Sequence, residues 1–205
     1  MKQLPFLLIT TLSLFLAGCS EPPSPAPAEK KVEEKPQPIT GQSALFKMYQ
    51  VARAWAPDIA VLKLDSMRVP DVPDQPGKAG AWEATFVSEQ RGSARPFTWS
   101  AIEELPNLHK DVFAGGEGAY SAGGPDKPFL IGAVKIDTDA ALQTAKTKAV
   151  DYDKKHPGQP IVFLLENGSK FANPVWRVVW GESVGISSFS ILVDATTGTY
   201  LETMH

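Results

Sequence analysis

At 205 residues the chain is long enough for one or two domains with a real hydrophobic core. Hydrophobic residues make up 43% and charged residues 21%, the composition of an ordinary globular protein. A net charge of −3 without any Lys/Arg run excludes a nucleic-acid-binding reading.

Lys2 opens a positively charged start, and residues 4–16 form an apolar stretch interrupted only by Pro5, Thr10, Thr11 and Ser13. An apolar run this short reads as a secretion signal over residues 1–18 rather than a membrane span. The stretch ends Leu16-Ala17-Gly18-Cys19, which resembles the bacterial lipobox. That resemblance implies cleavage before Cys19 and acylation of its thiol, palmitate being a typical chain. Two or three acyl chains, at about 0.8 kcal/mol per buried CH₂, would then anchor the protein to a bilayer. Ser20 after the cysteine resembles the outer-membrane sorting pattern of Gram-negative lipoproteins, with the domain facing the periplasm. Cys19 is the one cysteine, so once it is acylated the mature fold has neither disulfide nor thiolate metal site.

Residues 19–39 read as the lipidated cysteine and a tether. Pro22, Pro23, Pro25, Pro27, Pro36 and Pro38 alternate with a mixed-charge patch at 29–35, and almost nothing there is apolar. In a polyproline-like conformation, at about 3.1 Å per residue, it reaches roughly 60 Å from the membrane.

The globular part begins near Thr40. Leu45, Met48, Ala52, Trp55 and Ala56 recur at helical spacing and Pro57 stops the run. Residues 59–64 read as a strand, and a loop with Pro70, Pro73, Pro76 and Gly77 follows. Residues 82–102 then form a hairpin carrying Trp82 and Trp99. Residues 106–128, with five glycines, read as an irregular Gly-rich connector. Residues 129–136 suit a short strand. Asp137 or Thr138 can cap a second helix whose buried stripe is Ala141 or Leu142, Ala145 and Ala149. Lys154, Lys155 and His156 suit its C-terminal end, and Pro157-Gly158 stops it. A strand at 161–165 and a turn at Asn167-Gly168 lead to the tail hairpin, 174–201. There Trp176, Val178 and Trp180, then Phe189, Ile191 and Val193, fall on one face. Asp194 is placed to bond its own backbone in the closing turn, where Gly198 is free to take a positive φ.

Displaced by 94 positions, Trp176 falls on Trp82, Val178 on Ala84 and Trp180 on Phe86, while Ile191 falls on Phe97, Val193 on Trp99 and Ala195 on Ala101. The pattern reads as an internal duplication, with a first half at 40–105 and a second at 129–205. Each half runs helix, strand, hairpin, which implies an α+β fold with an antiparallel sheet and a helix across one face. That order, with Trp176-Arg177-Val178 and a strand ending Val193-Asp194-Ala195-Thr196-Thr197-Gly198, resembles the PepSY domain of bacterial envelope and secreted proteins. The first half departs from it, with Trp99-Ser100-Ala101-Ile102 in place of Val-Asp-Ala-Thr. The resemblance implies fold more than function, since such domains occur in inhibitory propeptides of peptidases, envelope regulators and lipoproteins.

No catalytic set is legible: there is no G-x-S-x-G elbow, no H-E-x-x-H and no cysteine beyond Cys19. His109, His156 and His205 are far apart in sequence and read as surface, and no Gly-Lys-Ser/Thr follows the glycines of 115–124. No cofactor and no metal are expected. The five tryptophans read as core and Asp194 as a turn cap. The expectation is a non-catalytic envelope lipoprotein that binds or regulates a protein partner, one related to a peptidase in the family's manner. Phe113 and Tyr120 of the connector are its candidate anchors. The alternative is a small-ligand or metal sensor using a cleft between the halves.

Overall fold

The computed structural model describes residues 35–104, 106 and 108–205. Cys19, the signal-like stretch and the tether as far as residue 34 lie outside the described residues. Residues 35–205 form one compact unit.

In chain order the elements are β1 (Ile39–Thr40), α1 (Gly41–Ala52), β2 (Ala60–Met67), β3 (Lys78–Ala79), β4 (Ala81–Ser88), β5 (Ser93–Ser100), β6 (Asp111–Ala114) and β7 (Gly118–Ala119). A 3₁₀ turn at Ile131–Ala133 leads to α2 (Thr138–Lys148), α3 (Val150–Lys155), β8 (Ile161–Glu166), β9 (Val175–Trp180), β10 (Phe189–Asp194) and β11 (Tyr200–Met204). β1 pairs with β3. The other nine strands form one antiparallel sheet, in the order β11-β10-β9-β8-β2-β4-β5-β6, with β7 also on β5. The fold is α+β, as the order of apolar patterns implied.

Both helices cover the same face, because the apolar stripe of each meets the inward side of its own hairpin. One core cluster draws on Leu45, Met48, Trp82 and Phe86 from the first half and Leu165, Trp176, Trp180 and Ile191 from the second. Trp82 and Trp176 are both fully buried. The indole N–H of Trp82 donates to the carbonyl of Ile39 at 3.1 Å, and that of Trp176 to Ile136 at 2.7 Å. Each acceptor lies two residues before the first residue of a helix, α1 in one case and α2 in the other.

The repetition extends to register. Trp82 faces Trp99 and Ala84 faces Phe97, while Trp176 faces Val193 and Val178 faces Ile191, the same pairing displaced by 94 residues. Ser66 faces Trp82 as Leu165 faces Trp176, so β2 and β8 correspond at a displacement of 99. The β2–β4 connection is therefore five residues longer than the β8–β9 connection. The halves join edge to edge through β2 and β8, with Leu64 opposite Leu165 and Asp65 opposite Leu164. Asp65 and Leu164 are themselves equivalent positions, so an approximate two-fold axis passes through that pair.

The helix N-termini meet near this axis. The Gly41 N–H donates to Thr138 Oγ1 at 3.0 Å and the Gln42 N–H to Asp137 Oδ1 at 2.9 Å. Asp137 Oδ1 also accepts from the Thr138 N–H, so a single carboxylate satisfies orphan donors of both helices and faces two positive helix ends. Only hydrogen fits at Gly41: a Cβ there would lie 2.7 Å from Trp176 Cη2 and 3.1 Å from Trp82 Cη2.

Five segments differ from the sequence expectation. Residues 129–136 are not a strand: Phe129 forms one bridge with Val61 and the 3₁₀ turn follows, tied down where Lys135 and Ile136 both donate to the Ala195 carbonyl. The Gly-rich connector contains two short edge strands, because β5 offers an unpaired edge on which β6 and β7 close. The second helix breaks at Ala149 into α2 and α3. The tail gains β11, paired with β10. At the near end of the tether Pro38 is buried and Ile39 packs on the core, so these residues belong to the fold.

Candidate functional site

The five extra residues of the first half lie in the segment between β2 and β4, which forms one wall of a cleft of about 500 Å³ between the halves. Arg68, Asp74, Gln75, Gly77 and Lys78 come from that segment. Leu142 and Lys146 of α2, residues 158–161, Phe163 and Glu182 come from the second half. The wall is pinned through Thr138, whose hydroxyl donates to the Gly77 carbonyl. Gly77 has φ +72°, and a Cβ on it would lie 2.4 Å from the Asp139 Cα, so the loop approaches α2 as closely as backbone allows. On the other side the Gly181 N–H donates to the Pro160 carbonyl at 2.8 Å and fixes residues 158–160 against the end of β9.

Apolar and polar groups both face this space. Leu142 and Phe163 are buried core residues that supply its floor. Arg68 spans the mouth: Nη1 donates to both Glu182 oxygens at 3.0 Å and Nη2 to Asp74 Oδ2 at 3.2 Å. The hydrogen bond to Glu182, more than the charge of Asp74, holds the guanidinium above its ordinary pKa. Because these side chains are substantially exposed, the clasp contributes only about 0–1 kcal/mol, little enough for a ligand to open. Of the cations lining the cleft, Lys78 bonds Gln75 Oε1 at 3.0 Å, and neither Lys78 nor Lys146 pairs with a carboxylate among the described residues. Gln159 is partly satisfied, with Nε2 donating to the Trp180 carbonyl at 3.3 Å. Its Oε1 is buried and accepts from nothing.

The lining holds Arg, Lys, Asp, Glu and Gln and no hydroxyl, thiol or imidazole. These groups can offer cations to an anion and an apolar floor to a side chain. None of these residues stands out in the sequence. The available signal was the Pro70-Pro73-Pro76 loop, whose excess length shows once β2 and β8 are aligned separately from the hairpins.

The expected anchors are placed otherwise. Phe113 lies on edge strand β6 opposite Thr98, 45% exposed, with its ring 4.1 Å from that of His109. Tyr120 follows β7 and donates its backbone N–H to the Gly92 carbonyl, at the far end of β5. The structure does not bring the two together. Nor is their segment loose. Hydrogen bonds from Ser93, Trp55 and Arg91 hold the Glu117 carboxyl down to about 2. His109 pairs with Glu103, His156 stacks on Tyr152, and His205 approaches Phe189. Among the described residues no group of three or more His, Cys, Asp or Glu is placed to hold a metal ion.

Asp194 caps its turn as expected, Oδ1 accepting from the N–H groups of Thr196 and Thr197 at 2.8 Å each. Gly198 in that turn has φ +77°. Trp82, Trp99, Trp176 and Trp180 are core, whereas Trp55 is half-buried and donates to Glu117 at 3.0 Å.

No family model matches the chain, and no curated protein matches it in sequence. Among solved structures it is similar to a candidate lipoprotein from Clostridium difficile 630, with a TM-score of 0.45 and 10% identity, over 78% of this chain and 91% of that one.

Proposed function

We propose that this chain is a lipid-anchored, non-catalytic binding protein of the bacterial envelope, built from two PepSY-like halves, which holds its ligand in the cleft between them. The observation that carries this reading is the cleft itself, a mixed polar and apolar cavity walled by a connection that is longer in the first half than in the second. The lipobox-like end of the signal, with Cys19 as the attachment point, supports the anchor. Among the described residues no helix is long and apolar enough to cross a membrane. Ser20 favours the outer membrane, facing the periplasm, in a Gram-negative host.

A second reading keeps the protein partner on the sheet edge. Its support is Phe113, an exposed aromatic on edge strand β6, where an extended segment can add to the sheet.

One experiment separates the two. The intact lipoprotein is incubated with envelope extract, and the retained species are identified by mass spectrometry for three proteins. These are the natural sequence, a cleft-filling Lys146→Trp variant and a Phe113→Ala/Tyr120→Ala variant. Retention lost with Lys146→Trp alone supports the cleft. Retention lost with the double variant alone moves the site to the edge, and chemical conversion of the retained species contradicts a non-catalytic role.

A further inference from the structure

We infer that the helix-covered side of the molecule carries a second surface, one that rests on an anionic lipid bilayer. Its centre is an apolar groove of about 440 Å³ between α1 and the 3₁₀ turn, lined by Gln42, Ser43, Phe46, Ile131, Gly132 and Val134. It shares no lining residue with the cleft. Gln42 ties its two walls together, Nε2 donating to the Val134 carbonyl at 2.7 Å. Phe46 is 54% exposed, and Leu130, beside Ile131, is 73% exposed. Their neighbours Leu45, Met48 and Phe129 are buried, so these two side chains project from the core rather than into it.

Charge and the route of the chain choose the occupant. The two segments that flank the groove, residues 35–57 and 128–136, carry Lys35, Lys47, Arg53 and Lys135 and no Asp or Glu, in a chain whose net charge is −3. All four cations are exposed, and none pairs with a carboxylate among the described residues. The acids that end these segments are engaged. Asp58 accepts from Ser88 Oγ at 2.6 Å and from the Gln90 N–H at 3.0 Å, and Asp137 accepts from both helix N-termini. Projecting apolar side chains among unpaired cations suit the interface of an anionic bilayer. The anchor leads to the same place. Lys35 lies 16 residues after Cys19, the chain enters the fold at Ile39–Thr40, and Gln42 already lines the groove. A domain tethered in this way meets the bilayer at high effective concentration, so a contact too weak to hold a free protein suffices. Each Lys or Arg near an anionic surface raises binding about fivefold.

The test couples the chain from residue 19 onward through Cys19, its one thiol, to a maleimide lipid in nanodiscs. One disc is an equal mixture of phosphatidylglycerol and phosphatidylcholine, the other is phosphatidylcholine alone, and each holds a trace of lipid with a gadolinium-chelated headgroup. Amide line broadening reports which residues approach the headgroups. It should centre on residues 42–51 and 130–135 in the anionic disc and fall at least about fivefold in the neutral one. Lys47→Glu/Lys135→Glu and Phe46→Ser/Leu130→Ser should each lose it, with the melting temperature held because all four side chains are exposed. Broadening centred elsewhere or spread evenly, equal in the two discs, or unchanged by both variants overturns the inference. So does self-association of the uncoupled Cys19→Ser chain that Phe46→Ser abolishes, which assigns the patch to a second copy. Chemical coupling makes the result independent of whether the cell acylates Cys19, which membrane fractionation of Cys19→Ser tests separately.

Discussion

Truncating either of the equivalent tryptophans tests whether the two halves are one structure. Trp82 and Trp176 are completely buried, and each donates its indole N–H to the carbonyl just before a helix. Replacement by Ala removes a large buried side chain and should cost about 3–5 kcal/mol. That is a large share of the roughly 5–15 kcal/mol by which a domain is stable. Replacement by Phe keeps most of the apolar surface but leaves a carbonyl unpaired, at about 1–3 kcal/mol. The Trp176 bond is the shorter, so Trp176→Phe should cost at least as much as Trp82→Phe. Both rings also converge on Gly41, and residues sharing a neighbour do not act independently. The double Ala variant should therefore depart from additivity by about 0.5 kcal/mol or more. Urea unfolding followed by far-UV circular dichroism measures all of this without relying on the fluorophores removed. A cost under about 1 kcal/mol for either Ala variant, against the usual range for buried aromatics, would refute the reasoning. Unfolding in two separate transitions would refute it as well.

Gly41→Ala should cost about 1–3 kcal/mol by overpacking, since the new methyl lies 2.7 Å from Trp176 Cη2 and 2.8 Å from Thr138 Cγ2; an unchanged melting temperature would show that the helix ends are not wedged there. At Asp194 burial raises the carboxyl pKa, but Asn173 and the Thr197 and Thr196 amides outweigh it and hold it below the ordinary 3.8. Its contribution is thus present above that value and lost as pH falls through the lowered one, so Asp194→Ala should destabilise at neutral pH by about 1–3 kcal/mol and flatten the acid limb of stability. An acid limb identical to that of the natural sequence would contradict the turn-cap role. Cys19→Ser should move the protein from the membrane fraction to the soluble fraction of the producing bacterium, and unchanged partition would end the anchor proposal.

Much of the fold was legible because its signals are periodic. Trp176, Val178 and Trp180 alternate along one strand, and the displacement onto Trp82, Ala84 and Phe86 reappears as identical cross-strand register. The failures have local causes. The apolar run at 129–136 looked like a strand because Phe129, Leu130, Ile131, Val134 and Ile136 crowd together, yet only Phe129 finds a strand partner, in Val61. The connector's glycines implied irregularity, but whether an edge strand forms depends on the free edge of β5, which no local pattern reveals. The chemistry of the cleft was the least legible. Arg68, Lys146 and Gln159 are ordinary surface-type residues, brought together only because β2 pairs with β8. The anchors chosen from sequence, Phe113 and Tyr120, share composition and not location.

The most direct measurement of the central claim is photo-crosslinking in the producing cell. A benzophenone amino acid replaces Asp74, 81% exposed at the cleft, in one strain and Phe113 in another, and irradiated lipoprotein is analysed by intact mass and peptide mapping. The account predicts a defined adduct from position 74, abolished by Lys146→Trp, and none from position 113. An adduct from position 113 alone would contradict it and place the binding surface on the edge of the sheet.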